Sequence, residues 1–329
     1  MNPFDSPAPV FPNAGPAVQF EADLERVADS LATVLLVGES GSGKSFAARR
    51  LHMAGQRRVG PLVEVQLAAL SASLVEAELF GHEEGAFTGA GKARVGRFQR
   101  AHGGTLVLDG VEDLEHDLQV KLLRVLQERE VEPLGGLPQA IDVRVVATTS
   151  ADLLERVEEG RFRQDLYYRL AVVVLHVPAL RSRLADIPAF VDAFAEPVAL
   201  RTRAPRREFS KDARERLLEY SWPGNLRELE NAIERVTVLG SQNSGPVSRE
   251  ELNFLREDTG GESRRLALRA LSSGLTVGEL ELAMIVEAVT AQQGNLSAAA
   301  RQVGISRRAV EYRLRRSQEA GLEGEEGDG

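Results

Sequence analysis

Eight consecutive residues, Gly38-Glu39-Ser40-Gly41-Ser42-Gly43-Lys44-Ser45, have the composition and spacing of a phosphate-binding loop. Glycines at three positions let backbone N–H groups turn inward around phosphate oxygens, where no side chain may intrude. Lys44 supplies the cation for β and γ oxygens, and Ser45 supplies a hydroxyl for Mg²⁺. The loop follows the apolar run Val34-Leu35-Leu36-Val37 and opens a helix-like stretch, whose positive end adds to the anion site. ATP and Mg²⁺ are the cofactors this pattern implies.

A second carboxylate site is expected at the end of a later strand, and Gly103-Gly104-Thr105-Leu106-Val107-Leu108-Asp109 supplies it. Asp109 emerges at the strand's C-terminal end, where it can hold the metal through water. Gly160-Arg161-Phe162-Arg163-Gln164-Asp165-Leu166-Tyr167-Tyr168-Arg169-Leu170 offers guanidinium groups suited to the charge that spreads over a phosphoryl group in transfer. A surface helix with salt-bridged arginines is the other reading of that segment. Near the C-terminus, Asn295 to Val303 and Ser306 to Arg316 read as a short helix, a turn at Gly304 and a second helix capped by Ser306. Residues 306–316 carry five Arg against one Glu. Arg307 and Arg308 stand at the helix start and Tyr312 and Arg313 on nearby turns, within reach of bases or phosphates of double-stranded DNA. Val310 and Leu314 are expected in the core of this module.

One further stretch gives these parts a common context. Glu78-Leu79-Phe80-Gly81-His82-Glu83-Glu84 leads into Gly85-Ala86-Phe87-Thr88-Gly89-Ala90, a glycine-rich insertion with an aromatic residue at its tip. With the phosphate loop, this hexapeptide resembles the AAA+ activators of sigma-54 (RpoN-type) RNA polymerase, over roughly residues 20–255. The C-terminal module resembles the Fis-type helix-turn-helix that ends many of them. The resemblance implies that Gly85 to Ala90 touch the sigma factor. It implies that Arg163 and Arg169 reach a neighbouring subunit's nucleotide in a ring, most often a hexamer. It places Arg227, in Trp222-Pro223-Gly224-Asn225-Leu226-Arg227-Glu228-Leu229-Glu230-Asn231, on the nucleotide in cis, and Thr149 in the first sensor.

The chain departs from that pattern at three positions. The family has a water-polarising glutamate after Asp109, and here Gly110 stands there; Glu112 and Asp113 lie close by but displaced by several ångströms. Gln66 stands where the family usually has Asn, and Ser150 where its sensor usually ends in Asn. Loss of a general base costs about 10²–10⁴-fold in rate. Two readings follow: an ATP-driven, DNA-bound activator of sigma-54 polymerase, or an ATP-binding regulator that hydrolyses little and acts as an inhibitory subunit of mixed hexamers. Gly110→Glu, combined with Gln66→Asn, is expected on the resemblance to raise turnover.

The elements that must position these groups are those of an α/β domain. Apolar runs at Val34 to Val37, Leu62 to Val65, Leu106 to Leu108, Val143 to Ala147 and Val172 to Leu175 suit strands of a parallel sheet covered on both faces. The expected division is an irregular arm at 1–17 with five prolines, an AAA+ α/β nucleotide-binding domain at 18–178 and a helical lid at 179–255. A linker at 256–275, a helix-turn-helix domain at 276–318 and an acidic disordered tail at 319–329 complete it. Within the lid, Ser210 caps a helix and Leu226, Leu229, Ile233 and Val236 form one apolar stripe. Lys92 to Ala101 reads as helix, and Leu280, Ala283, Met284 and Val286 to Val289 as the inward face of the helix from Val277.

The chain of 329 residues has a net charge of −9, which argues against a uniformly basic nucleic-acid coat. Charge is nevertheless segregated: residues 261–318 hold nine Arg and five Glu, whereas 319–329 hold four Glu and one Asp. There are no cysteines, so disulfides and thiolate chemistry are excluded, and the five histidines lack ligand spacing. No apolar run approaches a membrane span and no secretory signal is present, which fits a cytoplasmic protein without a membrane partner. The residues before 20 are too few for a receiver or ligand-sensing domain, so control is expected from a regulatory protein in trans, from abundance or from assembly.

Overall fold

The computed structural model describes residues 16–68, 72–86, 92–240, 245–255, 270–271, 273–292 and 294–322. The chain divides into two compact units, Met1–Leu255 and Arg256–Gly329.

In the first unit, α1 (Pro16–Ala28) precedes β1 (Val34–Val37), α2 (Lys44–Ala54), β2 (Leu62–Gln66) and α3 (Ala72–Phe80). Two short strands, β3 (Gly81–His82) and β4 (Arg94–Val95), lead to α4 (Arg97–Arg100), β5 (Thr105–Asp109) and α5 (His116–Glu128). A second small hairpin, β6 (Glu130–Val131) and β7 (Gln139–Ala140), comes before β8 (Arg144–Thr149), α6 (Leu153–Glu158), α7 (Gln164–Leu170) and β9 (Val173–His176). The lid is α8 (Ile187–Thr202), α9 (Lys211–Glu219) and α10 (Asn225–Leu239).

The five long strands form one parallel sheet in the order β2-β5-β8-β1-β9. The apolar runs are nearly continuous because both faces are covered. Alternate residues still go to opposite sides: Leu36, Val107 and Val146 join one core with α1, α2 and the lid, while Leu35, Leu106, Leu108 and Val145 join another with α3 to α7. The lid shares the first of these cores through Trp222, Leu226, Leu229, Ile233 and Val236, so the apolar stripe read from the sequence is its contact face. Ser210 caps α9, its Oγ accepting from Ala213 N at 3.4 Å. A buried cation ties the first layer together, the Arg144 guanidinium donating to Ala28 O at 2.5 Å and Val27 O at 2.9 Å.

The second unit contains α11 (Val277–Ala291), α12 (Leu296–Val303) and α13 (Arg307–Leu322). Thr276 and Glu279 form a reciprocal capping box at the start of α11. Ile285, Ala300 and Val310 are its buried centre, with Val289, Leu296, Val303, Ile305 and Leu314 packed around them.

Several expectations are corrected. Lys92 to Ala101 is not a helix but the strand β4 and the single turn α4. Ala283, Met284 and Val286 are exposed, because the phase of α11 turns Ile285 inward along with the expected Ala288. Pro16 and Ala17 already belong to α1, so the arm ends earlier than 17, and α13 carries helix through Leu322, into the acidic tail. Most of the linker 256–275 lies outside the described residues.

Candidate functional site

The phosphate loop joins β1 to α2, with Gly41 at φ +74° and Gly43 at φ +104°. Two features call for glycine at position 41. Its backbone is left-handed, and a Cβ there would meet Gly224 O at 2.4 Å. Ser45 lies in the first turn of α2, and Lys44 donates from Nζ to Gly38 O at 2.7 Å and Glu39 O at 3.0 Å. Burial lowers the Lys44 pKa, an effect opposed by the carboxylates of Asp109, Glu112 and Glu39 and reinforced by the Arg227 guanidinium.

The start of α10 is hydrogen-bonded to this loop. Leu226 N donates to Gly41 O at 2.9 Å, and Arg227 donates to Ser40 Oγ at 3.1 Å. Asn225 Nδ2 donates to Ser40 O and Glu39 Oε2, each at 3.1 Å, while its Oδ1 accepts from Leu180 N at 2.8 Å. Arg181 forks onto Glu39, and Arg183 donates to Ser42 O at 2.6 Å. Burial pushes the Arg183 guanidinium down to about 10, with Asp186 and Glu21 opposing. Two residues of this turn are left-handed without being glycine, Trp222 at φ +52° and Asn225 at φ +55°. Such conformations cost about 1–3 kcal/mol each and persist where surroundings over-determine them. The Trp222 ring is fully buried, donates from Nε1 to Leu217 O at 2.8 Å and meets Tyr220 edge-on at 5.1 Å; Asn225 is held by the three bonds above. Sequence reading found Arg227 here but missed Asn225, Arg181 and Arg183, whose roles depend on that backbone.

Asp109 ends β5 beside Gln66 and Thr148, its register partners on β2 and β8. The Thr148 hydroxyl, not singled out from the sequence, donates to Asp109 Oδ1 at 2.5 Å. Gln66 is exposed at the end of its strand. Thr149 is buried, and its hydroxyl bonds Ala151 O at 3.1 Å. Gly110 has φ +82° and ψ 51°, which turns the chain into the tight 3₁₀ turn Val111–Asp113. That turn carries Glu112 back to β8. Its Oε1 accepts from Ser150 N at 2.8 Å and Ser150 Oγ at 2.7 Å, and Arg156 donates to its carbonyl at 2.6 Å. Burial raises the Glu112 pKa, but the two Ser150 bonds outweigh it and hold the carboxyl below its ordinary range, with help from its own amide and the Thr149 hydroxyl. Asp113 stays exposed.

The left-handed Gly110 also revises one expectation. Gly110→Glu is expected to lower stability by about 1–2 kcal/mol, the cost of an L-residue in that conformation, and to give no rise in turnover. Urea unfolding alongside steady-state ATPase measurement checks both parts.

Arg163 precedes α7 and Arg169 lies in its last turn, next to α5. Arg163 forks onto Asp165 at 3.0 and 2.7 Å, and Arg169 donates to Leu126 O at 2.7 Å. Their hydrogen bonds run to these groups and not to the phosphate loop of their own chain. Of the hexapeptide, Gly85 and Ala86 are described; Phe87, Thr88, Gly89 and Ala90 lie outside the described residues. The stems of the insertion pair as β3 and β4, with Glu78 bridging Arg94 and Arg97 at 2.5 and 2.8 Å. They rest on the second hairpin: Leu134 N donates to Gly81 O and Glu83 N to Leu134 O, both at 3.0 Å. That hairpin was not recognised from the sequence, since its two strands have two residues each.

In the C-terminal unit, Gly304 at φ +76° ends α12, and Ser306 Oγ accepts from Ala309 N at 3.2 Å to cap α13. Arg307 pairs with Glu311 at 2.8 Å, Arg313 with Glu281, and Arg308 and Tyr312 are exposed. Val310 is buried and Leu314 partly so, as expected of core positions.

Comparisons with known proteins agree with this fold. The profile described as Sigma-54 interaction domain matches residues 13–176, that of an AAA+ ATPase lid domain residues 181–261, and that of Bacterial regulatory protein, Fis family, residues 276–316. Transcriptional regulatory protein ZraR of Salmonella typhimurium is 45% identical over 301 residues, covering 89% of this chain and 65% of that protein. ZraR of Escherichia coli is 44% identical over 312 residues, covering 92% of this chain and 67% of that protein. The chain thus spans about two thirds of the length of these relatives. Among solved structures, NtrX from Brucella abortus superposes with a TM-score of 0.69 at 33% identity, covering 92% of this chain and 68% of that one. NtrX in complex with ATP gives 0.65 at 34% identity, covering 91% of this chain and 66% of that one. With these three domains in succession and this identity to full-length regulators, the chain belongs to the family of sigma-54-dependent AAA+ transcriptional activators.

Proposed function

We propose that this chain is a DNA-binding regulator that uses ATP to remodel sigma-54 RNA polymerase and activate transcription. The observation that carries this reading is the direct bonding of the phosphate loop to the lid, through Gly41, Ser40 and Glu39 on one side and Asn225, Leu226 and Arg227 on the other. Whatever changes the phosphates' hold on the loop is felt by the lid in the same chain that bears the sigma-contacting hexapeptide.

In this reading ATP lies on Gly38 to Ser45, Lys44 neutralises its β and γ oxygens, and Arg227 contacts it in cis. Ser45 and Asp109 are the Mg²⁺ ligands, Asp109 through water. The donor set fits: both offer oxygen, and the Thr148 hydroxyl fixes the Asp109 carboxylate. Held by these residues, the ion would supply positive charge against the phosphates. The active form is a nucleotide-driven ring, most often a hexamer, in which Arg163 and Arg169 face a neighbour's nucleotide. Double-stranded DNA is held by Ser306, Arg307, Arg308, Tyr312 and Arg313. With these partners the reading puts the protein in the cytoplasm. Separately, no described helix is long and apolar enough to cross a membrane.

Thr88→Ala tests the reading. ATP affinity is expected to stay within about twofold, while binding to sigma-54 weakens about 30-fold or more, the cost of losing a hot-spot contact. Equal loss of both would contradict it. A second reading is favoured by one observation, the glycine at position 110 with its left-handed backbone: an ATP-binding regulator that hydrolyses little and inhibits mixed rings.

A further inference from the structure

We propose that Glu112, fixed by Ser150 at the end of β8, is the carboxylate that positions and deprotonates the water attacking the γ-phosphate of ATP. This rests on the proposed ATPase reading and fills the role that the family pattern assigns to position 110.

Position 110 has no side chain, and its left-handed backbone disfavours one. The same backbone sets up the turn Val111–Asp113, which delivers Glu112 to Ser150. Glu112 is only 8% exposed, and its carboxylate lies close enough to Lys44 to act on that ammonium together with Asp109. The three groups therefore share one field at the C-terminal ends of the strands. Oε1 is saturated by two donors from Ser150. Oε2 is buried and has no hydrogen-bond partner among the described residues; the nearby Thr149 hydroxyl, which also acts on this carboxyl, donates its proton to Ala151 O. A buried carboxylate oxygen without a donor is uncommon and costly, and it calls for a water. Asp113 lacks these properties: it is exposed, and its amide is bonded to Gly110 O in the turn at 3.1 Å.

The chemistry balances on these groups. A lone pair of the water oxygen forms the bond to the γ-phosphorus. The bond from that phosphorus to the β,γ-bridging oxygen breaks, and its electron pair leaves on ADP. One water proton passes to Glu112 and is returned to the phosphate product. Phosphoryl transfer is largely a matter of positioning, so a fixed anion that orients the water suffices without a strongly basic group. Ser150 is the positioning residue: its hydroxyl stands where the family's first sensor has an amide, and it holds the displaced carboxylate.

Steady-state turnover and ATP affinity, measured together on the full chain, test this. Glu112→Gln is expected to lower kcat by about 10²–10⁴-fold with the Kd for ATP nearly unchanged, whereas Asp113→Asn stays within a few fold. Ser150→Ala is expected to lower kcat about tenfold, to be rescued by Ser150→Thr, and to have no further effect in the Glu112→Gln background, because residues acting as a unit are not additive. A Glu112→Gln protein that binds ATP and keeps its turnover overturns the proposal. So does a wild type that binds ATP but hydrolyses none, and so does a Ser150→Ala effect that persists undiminished without Glu112. Loss of ATP binding in the wild type would instead remove the ATPase reading itself.

Discussion

Alanine at Arg163 or Arg169 is expected to lower ATP turnover by about 10³–10⁵-fold, the range that separates assisted from unassisted phosphoryl transfer, while ATP affinity hardly changes. Within one chain both guanidinium groups are engaged away from the phosphate loop, on Asp165 and on Leu126 O. A role in catalysis therefore requires a second copy. Folding should survive the change, since the Arg163–Asp165 pair is a surface contact worth little. The decisive measurement is complementation. Arg169→Ala subunits bind nucleotide but lack a finger, and Lys44→Ala subunits keep the finger but lack the nucleotide. Mixed in one solution, the two inactive proteins should regain turnover, and sedimentation with a non-hydrolysable ATP analogue should reveal a ring. A persistent monomer, or turnover that each variant retains alone, would show that the arginines serve only their own chain.

The second large effect concerns DNA. A chain ending after Leu255 is expected to lose about 10³–10⁷-fold in affinity for its specific sites, the usual gap between specific and non-specific binding. Residues beyond 255 form their own compact unit, so the first unit should keep its nucleotide affinity. On the full chain, Arg307→Ala with Arg308→Ala is the finer probe. Each phosphate contact removed should flatten the dependence of log affinity on log salt by about 0.9. Each lost base contact should cost about 1–3 kcal/mol and relax the preference at one position. Arg307 is paired with Glu311 at 63% exposure, so breaking that pair costs the free protein little. Unchanged binding by the truncated chain would move the DNA contact into the first unit.

The parts of the site that were legible in the sequence are those set by short-range chemistry. The loop Gly38 to Ser45 needs only glycines, a lysine and a serine in order, and the strands around it are apolar runs that tertiary structure leaves intact. The Ser210 and Ser306 caps were legible for the same reason. What could not be read were consequences of unusual backbone. Nothing in Asp109-Gly110-Val111-Glu112 announces that Gly110 is left-handed, and without that turn Glu112 is merely a misplaced carboxylate. Asn225 looks like a residue of the motif, yet it becomes a hub only because Trp222 and Asn225 itself take positive φ. The inward face of α11 was misjudged at Met284 and Val286 because its apolar residues are too many for one stripe. The small core around Val310, and not the sequence of α11, selects which of them turn in.

The bonds between the phosphate loop and α10 also set a mechanical scale. Helix α10 has 15 residues, and at 1.5 Å per residue such a rod is about 22 Å long. It meets the loop at one end through Asn225, Leu226 and Arg227, packs into the core along its length through Leu229, Ile233 and Val236, and carries the exposed Val238 and Leu239 at its other end. Its buried face ties it to α8, so the two would turn together, and a tilt of about 10° about the loop would carry the far end through roughly 4 Å, given that length. A displacement of a few tenths of an ångström beside a phosphate is thereby amplified about as a long oar amplifies a short pull at the rowlock. Leu239 rides on the blade.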